Sequence, residues 1–132
     1  MKFAKWVFAV AGVWGILILT PMYFMFEKIG ADSPPAITHP EFYFGFLGVA
    51  WAFQIVFLII ARDPVRFRPM MIPSLIEKWG YLAALAVLFG QDRISYIQLL
   101  TAGPDALLGV LFLVAFFKTR SAAVQRAGAP AA

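Results

Sequence analysis

Four long apolar runs, at residues 6–26, 42–61, 75–89 and 94–117, constrain this chain more than any other feature. They are continuous rather than alternating, which argues against strands of a barrel with one face to lipid and one to water. A helix rises about 1.5 Å per residue and the hydrocarbon layer is about 30 Å thick, so most of the runs can cross a bilayer, the third being short. Composition agrees: 62% of the 132 residues are apolar and 14% are charged. The mean hydropathy of +0.82 lies outside the range of soluble domains. The chain is expected to be all-α, a polytopic membrane protein built as one four-transmembrane-helix bundle over about residues 1–120. Residues 121–132, ending AGAPAA, are expected to form a disordered cytoplasmic tail.

The basic residues predict the orientation. Lys2 and Lys5 at the start, Arg62, Arg66, Arg68 and Lys78 in the second connection, and Lys118, Arg120 and Arg126 at the end make nine of the eleven. Lys28 and Arg93 fall on the other side. The positive-inside rule then puts both termini in the cytoplasm of a multi-pass protein of the bacterial inner membrane. The first run is too long for a signal-peptide core and lacks a small-residue cleavage site after it, so it reads as a retained span. The net charge of +4 follows from these anchors, and no basic patch with exposed aromatics suggests nucleic acid. RDPVRFRPMMIP, residues 62–73, reads as a cytoplasmic anchor, with anionic-lipid recognition as the alternative.

Absence of cysteine excludes disulfides and thiol redox chemistry within the chain. One histidine, His39, leaves no bis-histidine haem and no His-rich metal centre in one subunit, so no cofactor or metal is expected. THPE (38–41) and SLIE (74–77) have capping-box spacing, which supplies a structural role for Glu41 and Glu77 at helix starts. Pro21 is expected to kink the first helix. Small residues at close spacing, Gly12 with Gly15, Gly45 with Gly48 and Ala52, Ala102 with Ala106, and Gly109 after Asp105, predict close helix approach inside the bundle, with a homodimer seam as the alternative. Trp6, Tyr23, Tyr43, Trp79 and Tyr96 lie near span ends, where an interfacial belt accounts for them.

One acid stands apart. With GQDR (90–93) as a turn, residues 94–117 form a single span whose twelfth residue is Asp105, near the midplane. Gln98, Thr101 and Asp105 are three and four residues apart and so share a helix face, a polar groove opening outward. Counting from the outer ends, Trp14, Gln54 and Asp105 all lie about 16–18 Å deep, and Tyr81 a little shallower. Glu77 joins this layer if the short third helix is aligned at its outer end. A helix-centre acid costs about 2.5–3.5 kcal/mol to insert, so Asp105 should face the bundle or water. It is then either an electrostatic anchor for a ligand, or a structural partner of Gln54 or Trp14 or a cap beside Pro104.

The order YFGFLGVAWAFQIVFLIIARDPVRFRP, then EKWGYLAALAVLF, then DALLGVLFLVAFFKT, covering residues 43–119, resembles the small bacterial DoxX-like membrane proteins. The resemblance implies a four-helix inner-membrane bundle, in a group where some members accompany redox enzymes. A second likeness, to the emopamil-binding (EXPERA) bundles, implies that Asp105 and Glu77 could hold hydrophobic amines or sterols.

The leading expectation is a membrane protein without catalytic activity of its own. It would bind a small hydrophobic or cationic ligand, or serve a partner membrane subunit, through a cavity lined by Asp105, Gln54, Gln98, Thr101, Trp14 and Tyr81 among membrane lipids. The alternatives are an EXPERA-like isomerase using Glu77 and Asp105, and a structural scaffold.

Overall fold

The computed structural model describes residues 1–128, all of whose regular elements are helical. In chain order they are α1 (Lys2–Met22), α2 (Phe26–Asp32), α3 (Pro40–Arg62), α4 (Met71–Gly90), α5 (Tyr96–Leu100), α6 (Gly103–Lys118) and α7 (Arg120–Ala127). A 3₁₀ turn, Arg68–Met70, leads into α4. Four helical stretches are long and apolar enough to cross a membrane: α1, α3, the turn with α4, and the run from α5 through α7.

The long helices associate as two pairs, α1 with α3 and α4 with α6, and α1 also packs against α6. Helices in lipid gain little from hiding apolar surface and instead approach where small side chains permit it. Gly12 and Gly15 are such places. A Cβ on Gly12 would stand 2.8 Å from the Leu58 side chain and 2.9 Å from the Gln54 carbonyl, and one on Gly15 would overlap the Gln54 amide. Gly45, by contrast, has nothing within 4 Å of a Cβ, so the spacing seen there in sequence is not used within the bundle.

One end of the bundle carries eight basic residues, and there the core closes. Phe8 stacks on Phe112 with centroids 4.2 Å apart, and Phe57 meets Phe112 edge-on at 4.9 Å. Ala4, Ala11, Ile60, Met71 and Ala115 complete the buried cluster. At the opposite end the Tyr43 hydroxyl donates to the Met22 carbonyl at 2.8 Å, and the Trp51 indole N–H donates to Thr20 Oγ1 at 3.1 Å, tying α3 to α1.

Several expectations are corrected. The third helix begins at Met71, not near residue 75, because Pro73 falls in its first turn, where a missing N–H costs no intrahelical bond. SLIE therefore caps nothing: Ser74 is buried and donates to the Met70 carbonyl at 2.8 Å. THPE forms no side-chain cap either, since His39 is the N-cap. A capping box does form at Ser95, whose Oγ accepts from the Gln98 N–H while Gln98 Oε1 accepts from the Ser95 N–H. Pro21 lies one residue from the end of α1 and closes that helix. Gly30, Ala31 and Asp32 belong to α2, whose Phe26 packs on Tyr43 and Phe44.

The single fourth span is broken at Thr101 and Ala102. Pro104 has no N–H to give the Leu100 carbonyl, and the chain restarts as α6. The expected disordered tail is helical through Ala127, its Arg126 held to Asp63 at 2.8 Å, while residues 129–132 lie outside the described residues.

Candidate functional site

Above the phenylalanine core the two helix pairs diverge around a cavity of about 370 Å³. From α1 it is lined by Ala11, Trp14, Gly15, Ile18 and Leu19, and from α3 by Phe46, Val49, Ala50 and Gln54. From α4 come Glu77, Lys78 and Tyr81, and from α6 Pro104, Asp105 and Leu108. Its volume falls at the small end of the range of about 300–1,000 Å³ typical of ligand pockets. The walls are aliphatic and aromatic, and the charge is confined to one place.

That place is centred on Lys78. Its ammonium lies 2.6 Å from Asp105 Oδ1 and 3.2 Å from Glu77 Oε2, and its side chain is only 7% exposed. The Phe57 ring centroid is 5.6 Å from Nζ. A buried ammonium needs carboxylate partners because the Coulombic gain must offset the loss of hydration. Here there are two, on different helices, so the ion pair also fixes the register of α4 against α6. Asp105 sits in the first turn of α6, where the unpaired N–H groups of a helix start favour a negative charge. The carboxylates themselves are partly open to the cavity, Glu77 at 23% and Asp105 at 30% side-chain exposure.

Placing Lys78 here overturns its assignment to the cytoplasmic connection. It is the eighth residue of α4, about 10 Å along that helix from Met71. Sequence reasoning missed it as a site residue, although a signal was present: Ser74, Lys78 and Tyr81 stand four and three apart and form a polar stripe once the helix is allowed to start at Met71.

Of the residues singled out from sequence, the structure brings Trp14, Gln54, Tyr81 and Asp105 to this one cavity, with Glu77 beside them. Gln54 is 3% exposed, and its amide N–H donates to the Ala50 carbonyl at 2.8 Å. Gln98 and Thr101 are not brought there. Gln98 is spent in the capping box of α5, and the Thr101 hydroxyl donates to the Gln98 carbonyl at 2.6 Å. The break before Pro104 ends the shared helix face on which their expected alignment with Asp105 depended.

Among the described residues no group of three or more His, Cys, Asp or Glu side chains is arranged to hold a metal ion. What the arrangement offers chemically is an apolar recess of limited volume, one buried ammonium, two carboxylates on it, and an indole, a phenol and an amide around them. No family model, curated protein or solved structure matches the chain.

Proposed function

We propose that this chain is a multi-pass protein of the bacterial inner membrane, with both termini in the cytoplasm, that binds a small hydrophobic molecule bearing a cationic head group in the cavity between its helix pairs. The observation that carries the reading is the charge balance of the recess. Two carboxylates share one ammonium, at 2.6 and 3.2 Å, inside otherwise apolar walls. The site is thus one positive charge short of neutrality. A cation entering from the side of Trp14 and Tyr81 supplies it, with the two rings available for cation–π contact and Ile18, Leu19, Phe46 and Val49 for the tail. Lys78 shifts the emphasis from Asp105 alone to the pair of acids. The orientation is supported by eight of the eleven basic residues lying at one end of the bundle.

Thermal unfolding in uncharged micelles tests this. Hexyltrimethylammonium should raise the midpoint more than its uncharged tert-butyl isostere does. Asp105→Asn should abolish the difference while leaving the fold intact, since Lys78 keeps Glu77 as partner. Equal stabilisation by the two compounds rejects the cationic site. An unchanged difference in Asp105→Asn rejects the role of Asp105.

A second reading, an isomerase in which Glu77 and Asp105 exchange protons with a lipid-like substrate, draws on the same observation. Both carboxyls lie within reach of one Nζ atom, and so of one small substrate. Protein reconstituted with bacterial lipid extract in heavy water should then introduce deuterium into a lipid in a manner lost in Glu77→Gln. No incorporation above that variant would exclude it.

A further inference from the structure

We propose that the cavity exchanges its cationic ligand for a proton, one for one. The inference deepens the ligand-binding reading and rests on it. The charges that face the cluster come from two helices. α4 contributes Glu77, Lys78 and the Tyr81 phenol, and α6 contributes Asp105. α1 and α3 contribute none, since their lining residues are apolar apart from Trp14 and Gln54. Among the described residues no other ion pair reaches the recess: Lys28 with Asp32, His39 with Glu41 and Arg126 with Asp63 all lie outside it.

With all three groups ionised the cluster carries one negative charge beside the aromatic core and the aliphatic walls. Burying an uncompensated charge is strongly disfavoured, whereas a protonated carboxyl beside a paired one is neutral overall. In the absence of ligand, neutrality is reached by one proton held between Glu77 and Asp105. These two acids share Lys78, so a proton on either one leaves the cluster neutral. When a monovalent cation enters, it supplies the same charge. Cation and proton together would leave the recess positive, which is disfavoured for the same reason. The ligand therefore enters as the proton leaves to solvent, and charge is conserved in the exchange.

The experiment uses the full chain in uncharged micelles and hexyltrimethylammonium, whose charge does not change with pH. Calorimetric titrations at one pH in buffers of different protonation enthalpy should give close to one proton released per ligand bound. Kd should fall about tenfold for each unit rise in pH across the range where the empty site is protonated. The infrared carbonyl band of a protonated carboxylic acid should disappear as ligand is added. Glu77→Gln, which leaves a neutral Lys78–Asp105 pair, should lose both the band and the proton release. Binding with a pH-independent Kd and no proton released overturns the exchange while leaving the ligand site standing. No binding of the cation at any pH overturns the ligand site and the exchange together. The wild-type infrared measurement needs no variant to fold.

Discussion

Toward the basic end, Phe8, Phe57 and Phe112 interlock across the bundle axis and are wholly buried. One to two turns further, Gln54 on α3, Lys78 on α4 and Asp105 on α6 face a cavity instead. The difference comes from side-chain size at the contacts. In the basic half, large rings fill the space between all the long helices. In the other half, Gly12 and Gly15 let α1 close tightly on α3, and a cavity is left between that pair and α4 and α6. A membrane helix bundle can thus hold a filled core and an open site in series, the first fixing the backbone on which the second depends.

The contrast can be broken most directly at its filled end. Phe112→Ala should cost about 3–5 kcal/mol in unfolding experiments in mixed micelles, the usual loss for a fully buried ring that leaves a cavity. Phe46→Ala, on a cavity-lining ring that is 53% exposed, should change stability by less than about 0.5 kcal/mol, as surface substitutions do. Equal costs would mean that the two halves are packed alike.

A smaller effect separates used from unused glycines. Gly12→Ala meets the Gln54 carbonyl and Leu58 and should cost about 1–3 kcal/mol by forcing α1 from α3. Gly45→Ala meets nothing and should gain about 0.5–1 kcal/mol from better helix propensity. Reversal of that order would show that helix approach does not shape the cavity.

The smallest expected effect lies beyond both halves, at the basic surface. The Asp63 carboxyl accepts from the Arg66 N–H at 3.1 Å, from Arg126 at 2.8 Å and from the Val65 N–H at 3.2 Å. The Arg66 N–H first, and Arg126 next, hold its pKa below the ordinary carboxylate value. A pKa lower in the folded chain means a contribution present above the unfolded carboxylate value, near about pH 4, and lost as pH falls through the folded one. Thermal midpoints followed into acid should therefore decline less in Asp63→Asn than in the wild type, and added salt should narrow the gap. An identical decline would remove Asp63 from the account.

Much of the site layer was legible before the fold was known. Counting along each run placed Trp14, Gln54 and Asp105 at similar depth, and they do line one cavity with Tyr81 and Glu77. That worked because helix rise is constant along α1 and α3 and because the break before Asp105 spans only two residues. It failed for Gln98 and Thr101, because Pro104 interrupts the helix between them and Asp105. It failed for Lys78 because a lysine following three prolines and three arginines has the local appearance of a cytoplasmic anchor.

The sequence by itself determined that the chain forms apolar helices long enough to span a bilayer, because backbone groups in lipid must bond within their own segment and hydropathy alone reports that. It also determined that the last of these stretches carries an acid, Asp105, among its apolar residues. Only the tertiary structure decided that α4 meets α6 through an ion pair and that the bundle is filled at one end and open at the other. Those outcomes depend on which faces of separate helices touch, a property of side-chain shape across the bundle that no single run of residues contains.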